Sequence, residues 1–536
     1  MNDYVSLPKR RGPAKGAPGP RNFKIPEKGR IRIALAALVL TLVIVKFAGP
    51  CGGGKKPKTV SAVDTVGAVN RVNNAKSVKP ADNAKANKTV KNDKVVNNKT
   101  AADNNAVGNA DDVNTAGTVN RKDNKKPAAD NKITLVELRQ LVKEYKIGTG
   151  ASRQQISVRA NNENGKGVFG WGKSKDDGGD TLSVALSVDT TLQKYAMSMF
   201  RQYKPRYAAM AAVDPSTGRV LALASYADDG ETIDGSDLYL KNYFPAASVF
   251  KTIVAAAAVE RGGMNGKTVL EHFGRNHTLY NTQLRKDLKV SREITLEDAY
   301  AYSVNPVFAR IALFNVNKDI VAEYGRRFGF NEAVPFEYDA DVSEMFAPDT
   351  GFSVAEFASG FNRKTTITPL FGALLAGAVC ESGVIFEPTV IDTVRSLRSD
   401  SCLYVRRSKV WRRAVKEPTA AELRGLMTKV THYGTARNTF RQLRDSPRYN
   451  AFEFGGKTGS VNQVGLGRVD WFVGFARNPN NKSQRIAVGV VTTHGEYWTV
   501  HSSYVAAELI KKYISNVTAA TSARATSQPA GKTPQS

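Results

Sequence analysis

Three short groupings in this 536-residue chain have residue types and spacing suited to acyl transfer. They are Ser248-Val249-Phe250-Lys251, Ser303-Val304-Asn305 and Lys457-Thr458-Gly459-Ser460. Ser248 follows Pro245-Ala246-Ala247 and opens an apolar, alanine-rich run, VFKTIVAAAAVE, that reads as a helix. A serine at a helix start keeps its own amide free of helical hydrogen bonds, so that amide can face an oxyanion. Lys251, three residues on, lies on the same helix face. An amine held there and partly desolvated loses basicity and can take the serine proton. Read alone, the pair is equally an N-cap serine beside a solvated lysine.

Lys457-Thr458-Gly459-Ser460 follows Gly455-Gly456 at an expected strand edge, where glycines let a substrate backbone approach. Such an edge offers amides and carbonyls to an extended peptide, while a lysine and hydroxyls can receive a carboxylate. A β-turn with a surface lysine is the plainer alternative. Ser303 and Asn305 fall between helical segments. There a hydroxyl can relay a proton and an amide can hold a substrate carbonyl or the lysine, although a helix-cap serine explains the motif as well. Singly these motifs are cheap: a Ser-x-x-Lys arises by chance about twice in a chain this long. Ser6-Leu7-Pro8-Lys9 is one with no expected meaning.

The elements that must position them follow from periodicity. Thr134 and Glu137 open a short amphipathic helix over 134–145, followed by glycine-rich loop to Asp180. Leu182–Val188 alternates, Thr190–Tyr203 is helical, and Tyr207–Val213 with Arg219–Ser225 makes a hairpin around Asp214-Pro215-Ser216-Thr217-Gly218. The middle, from Ser248 to about Gly434, is mainly helical. Strands return at Phe452–Phe454, Val469–Ala476 and Arg485–Thr493, and a last helix runs from about Ser503 to Ile514. Two strands early, three late and helices between predict one α+β domain with a mainly antiparallel sheet.

Composition divides the rest. Residues 1–30 form a basic tail, and 31–48 (IRIALAALVLTLVIVKFA) form an apolar span free of charge between Arg32 and Lys46. The span is short against the ~20 residues of a usual membrane helix, yet Lys46 and Pro50 make cleavage by a signal or lipoprotein peptidase a poor fit. An uncleaved anchor is therefore expected, with the basic tail inside and everything after it exported. Residues 49–132 lack any aromatic side chain and read as a disordered linker, 133–180 as a short helix and loop, 181–515 as the catalytic domain and 516–536 as a disordered tail. The net charge of +28 lies largely in the tail and linker, without any nucleic-acid module, so no nucleic-acid partner is expected. None of the five histidines has ligand spacing, no metal or cofactor is expected, and Cys380 and Cys402 could pair although nothing requires it.

Taken together, the three groupings resemble the active site of the penicillin-binding protein transpeptidases and the related serine β-lactamases. The resemblance covers about 182–515 and includes Val213-Asp214-Pro215, Ile367-Thr368-Pro369-Leu370, Gly434-Thr435-Ala436 and Asp470-Trp471-Phe472-Val473-Gly474 in the family's order. It implies a five-stranded, mainly antiparallel sheet with helices on both faces and an all-helical subdomain. It also implies that Ser248 is acylated, Lys251 is its general base, Ser303 relays the proton and Asn305 positions substrate. Lys457, Thr458, Gly459 and Ser460 would bind the terminal carboxylate of a D-alanyl-D-alanine peptidoglycan stem peptide. The amides of Ser248 and Ser460 would hold the oxyanion. The implied function is a monofunctional, class B-like D,D-transpeptidase that binds β-lactams and works outside the cytoplasmic membrane, beside a glycan polymerase. A linker stands where such proteins usually carry a folded pedestal. Alternatives on the same site are a D,D-carboxypeptidase, a class D-like β-lactamase, or a non-catalytic receptor for β-lactam or wall peptide. Asn305 disfavours the class D reading, whose middle motif ends in valine.

Overall fold

In a computed structural model, the described residues are 133–160, 171–172, 180–288, 292–349 and 351–526. The expected basic tail, membrane anchor and linker lie outside them, and no described helix is long and apolar enough to cross a membrane.

Helix α1 (Leu135–Tyr145) carries the expected capping box: the Thr134 amide donates to Glu137 at 2.6 Å and the Glu137 amide donates to Thr134 Oγ1 at 3.3 Å. The expected loop after it is in part strand, β1 (Arg153–Ala160) and β2 (Trp171–Gly172), and the alternating run expected at Leu182–Val188 is β3 (Asp180–Leu186). Next come α2 (Thr190–Tyr203), capped by Asp189, and the hairpin β4 (Tyr207–Val213) and β5 (Val220–Ala227). Asp214 sets the hairpin's turn by accepting from the Ser216 amide at 2.9 Å and the Thr217 hydroxyl at 2.7 Å. The helical stretch holds β6 (Phe244–Pro245), α3 (Lys251–Glu260), β7 (Val269–His272), β8 (Arg292–Thr295), α4 (Leu296–Ala301) and α5 (Asn305–Phe314). It continues with α6 (Lys318–Phe328), α7 (Phe352–Ser359), β9 (Thr366–Ile367) and α8 (Pro369–Cys380).

From there to Gly434 the expectation of helix is corrected. β10 (Val384–Phe386), β11 (Ile391–Ser396), β12 (Cys402–Val405) and β13 (Val410–Arg413) precede α9 (Glu417–His432). After α10 (Arg437–Asp445) the late strands are longer than their apolar cores: β14 (Glu453–Gln463), β15 (Gly467–Asn478) and β16 (Asn481–His494). Helix α11 (Ser502–Thr526) runs past Ile514 into the expected disordered tail. Just past Ile514, Val517 still packs on the core.

The main sheet has the order β14-β15-β16-β4-β5, every pair antiparallel. Pairing of β16 with β4 closes the late strands onto the early hairpin, with Val490 opposite Met210. Residues 469–476 of β15 are buried without alternation, which requires cover on both faces. Helix α8 packs across β4, β15 and β16, and α11 packs on β15 and β16 beside α2. A second sheet, β12-β11-β3-β1-β2, was not anticipated. It joins the first where the Val220 amide donates to Thr389 and the Asp189 amide to Leu221, both at 2.8 Å. Cys380 and Cys402 are both free thiols.

Candidate active site

The nucleophile turn is built before its chemistry. Phe244 and Pro245 pair with Ile367 and Thr366, and the Trp471 indole donates to the Pro245 carbonyl at 2.9 Å. Ala247 then takes φ 47°, the left-handed region that costs an L-residue roughly 1–2 kcal/mol. That turn throws Ser248 into a short 3-10 segment, Ala247–Phe250, which feeds α3. Two glycines make the turn possible. Gly360, at φ 70°, lies so near the Ala247 carbonyl that any Cβ would collide with it. A Cβ on Gly459 would stand 3.2 Å from the amides of Ser248 and Val249, a tight contact that glycine avoids where β14 lies against the turn.

Lys251 is fully buried, and Ser248 is half-buried beside it. The lysine Nζ is 2.7 Å from Ser248 Oγ, 2.8 Å from Asn305 Oδ1 and in short contact with the Ser359 carbonyl. Asn305 is oriented by its own Nδ2, which donates to the His277 carbonyl at 3.1 Å, and its backbone amide donates to Asn276 at 2.7 Å. The Asn305 and Ser359 oxygens can only accept, so each takes an N–H from the amine. A neutral amine has two, which leaves its lone pair for the Ser248 hydroxyl. Burial, reinforced by the charge of Lys457, holds Lys251 well below a free lysine. An ammonium could fill the same three contacts with three N–H groups, so it is the electrostatics, burial and the Lys457 charge, that favour the neutral amine.

Lys457 is likewise buried, and desolvation lowers it to about 7. It donates to Ser303 Oγ at 2.9 Å and to the Thr458 carbonyl at 2.8 Å, with the Tyr300 ring 5.6 Å beneath it. Ser303 sits at φ 57° between α4 and α5, so its side chain is turned toward Lys457 by the backbone rather than by a rotamer alone. Thr458 Oγ1 is 2.6 Å from Thr435 Oγ1, and Ser460, opposite Asp470, is exposed on the outer strand of the sheet. All eight residues singled out from the motifs thus meet in one cleft between β14, α3 and the α4–α5 turn. Among the described residues no cluster of ligating side chains could hold a metal.

Sequence reasoning missed four contributors. The carbonyls of Ser359 and His277 act through the backbone, which every residue has, so no motif marks them. Tyr300 stands in no motif; its hydroxyl is 2.8 Å from Thr252 Oγ1 and its ring lies under Lys457. The His277 side chain, set aside as an ordinary histidine, is lowered in pKa by burial, then by Lys251 and Lys457. Only Thr435 had a signal, as part of Gly434-Thr435-Ala436.

Comparison with known proteins agrees with this architecture. The chain is 23% identical over 377 residues to penicillin-binding protein 3 of Bacillus subtilis, covering 64% of this chain and 52% of that one. It is 23% identical over 322 residues to the peptidoglycan D,D-transpeptidase PbpA of Mycolicibacterium smegmatis, covering 54% and 62%. The chain therefore spans only half to three-fifths of these relatives' lengths. In fold it is similar to the D,D-transpeptidase domain of a peptidoglycan glycosyltransferase from Eggerthella lenta, at TM-score 0.50 and 22% identity, covering 62% of this chain and 83% of that one. Penicillin-binding protein 3 of Mycobacterium tuberculosis gives TM-score 0.51 at 18% identity, covering 62% and 79%. Residues 208–532 match the penicillin binding protein transpeptidase domain, and with more than half its length matched the chain belongs to that family.

Proposed function

We propose that this protein is a membrane-anchored, serine-type D,D-transpeptidase that cross-links peptidoglycan stem peptides through an acyl-enzyme. The observation that carries the reading is the Lys251 amine, stripped of carboxylate partners and 2.7 Å from Ser248 Oγ. In the proposed reaction a D-alanyl-D-alanine terminus lies along β14 with its carboxylate at Lys457, Thr458 and Thr435. Ser248 Oγ attacks the penultimate carbonyl as its proton passes to Lys251. The amides of Ser248 and Ser460 stabilise the oxyanion, the term that usually contributes most to such catalysis. Collapse breaks the peptide bond, and Ser303 passes a proton to the departing D-alanine amine. Lys251 is neutral again once its first proton has replaced the one Ser303 gave to the leaving amine; an amine of a second stem peptide then attacks the ester, and Lys251 takes its proton and returns it to the departing Ser248 Oγ. β-Lactams would acylate the same serine. The apolar span 31–48 behind a basic tail supports an anchor with the catalytic domain outside the cytoplasmic membrane, near a glycan polymerase.

Labelling with a fluorescent penicillin tests this. The expected result is a stable label on the full chain that disappears in Ser248→Ala. No label with rapid loss of the drug would mean a β-lactamase, and neither label nor loss would mean a binding protein without chemistry.

A further inference from the structure

The open edge of β14 has two ends, and the residues at them differ. Along this strand the carbonyls of Phe454, Thr458 and Asn462 each accept from a side chain: Thr431 Oγ1, Lys457 Nζ and Arg363 Nε, all at 2.8 Å. These residues share one parity, and a strand turns backbone groups of like parity to the same side. The Ser460 N–H and C=O therefore also face the free edge, between Lys457 at one end and Arg363 at the other. Two residues of strand separate Ser460 from Asn462, about 7 Å.

Arg363 is exposed but not loosely held. Its loop begins at Ser359, whose carbonyl touches Lys251, and at Gly360, packed on Ala247. The Phe361 amide donates to Glu356 at 2.8 Å, the Thr365 amide to Asn362 Oδ1 at 3.0 Å, and the Ala246 amide to the Thr365 carbonyl at 2.8 Å. The loop is thus fastened to both sides of the nucleophile turn. Of the five guanidinium N–H donors only Nε is used, and among the described residues no carboxylate pairs with Arg363. A fork of donors is left open at the end of a peptide-binding edge, with Lys364 exposed beside it.

We propose that Arg363 is a specificity-determining residue that receives a carboxylate carried by the substrate residue immediately before the acylated D-alanine. The assignment deepens the transpeptidase reading and rests on it for the direction of the peptide. With the terminal carboxylate at Lys457 and the scissile carbonyl at Ser460, the preceding residue points toward Asn462. There a side-chain carboxylate meets the unused face of a guanidinium, whose planar fork matches it with two hydrogen bonds. A cationic residue at that place meets only donors, and an amide offers one neutral oxygen in place of a charged, two-oxygen acceptor.

The test uses the full chain, with N-acetyl-glutamyl-D-alanyl-D-alanine and its glutaminyl counterpart. D-alanine release and protection against fluorescent-penicillin labelling are both read. The expected result is that the wild-type protein favours the glutamyl peptide by about tenfold in kcat/KM, the size of one charge-assisted pair. Arg363→Gln should erase that preference by slowing only the glutamyl peptide, with penicillin labelling unchanged within about twofold. Arg363→Lys should keep part of it. Equal use of both peptides by the wild-type protein, or equal loss of both in Arg363→Gln, overturns the assignment and leaves the transpeptidase reading intact. Failure of penicillin to label Ser248 overturns that reading, and the assignment with it.

Discussion

Two regions of the molecule bury charged groups, and they treat them in opposite ways. Glu337 lies under the second sheet and is almost completely buried. Donors converge on it: the Thr389 hydroxyl, the Val390 amide at 3.2 Å and the Ile391 amide at 3.4 Å. Burial raises its pKa while those bonds pull it back. Lys251 and Lys457, at the seam between the main sheet and the helices, have neutral acceptors and each other for company. Glu337 has spent its lone pairs on tying β11 to the 337 segment, so it is a structural tie. Lys251 retains one lone pair, and it faces a nucleophile. Burial of a charge is thus no sign of function by itself; the unspent proton site is.

The contrast can be broken most sharply at Lys251. Lys251→Ala should slow penicillin acylation by about 10²–10⁴-fold, the range expected for loss of a general base, with the melting temperature kept. Acylation within tenfold of wild type would remove Lys251 from that role. A pH profile comes next. Acylation by a carboxylate-bearing substrate should rise with pH as Lys251 loses its proton, at a pH well below that of a free lysine. It should fall above about 7 as Lys457 loses the charge that holds the carboxylate. Lys457→Arg, charged throughout, should remove the alkaline limb; its persistence would assign that limb elsewhere.

On the other side of the comparison, Glu337→Ala strands a buried hydroxyl and two amides. It should cost about 2 kcal/mol of stability while leaving the acylation rate unchanged. Because burial raises the Glu337 pKa, its contribution is fullest below the ordinary glutamate range and is lost as pH rises through the raised value. The pH dependence of melting should flatten there in the variant. The smallest effect has the opposite sign: Lys457→Met removes an uncompensated buried cation and should stabilise the fold by about 1 kcal/mol, while substrate acylation collapses. A loss of stability would mean that the bonds to Ser303 and Thr458 outweigh the desolvation of the amine.

Much of this was legible from residue order. α2 spans the residues its apolar period marks, Thr190–Tyr203, and the β4–β5 hairpin follows from Asp214 to Gly218 between two apolar runs. β14, β15 and β16 were visible as apolar cores, but their ends were not. The hydrogen-bonded ladder extends to Gln463 and back through Gly467, where Val461 and Val469 are the only apolar side chains at the strands' turn ends and the sequence offers too few to mark a strand. The second sheet was missed because its central strand, β3, pairs with β11 some two hundred residues away: Ser183 stands opposite Arg395. Between them runs the helical middle, whose composition dominated the expectation for 384–413.

What the sequence determined alone is local: which serine opens a helix, which lysine stands one turn on, which glycines precede a strand. These are matters of propensity and fixed spacing along one chain. Tertiary structure decided the protonation of that lysine, because desolvation needs walls from α5 and α7 that lie far along the chain. It decided that Ser359 and His277 lend carbonyls, since a carbonyl is common to all residues and only its placement is special. It also decided that β14 lies at the edge of the sheet. A strand's own sequence shows which face is apolar, but whether its backbone groups are paired or free depends on the neighbours the rest of the fold supplies.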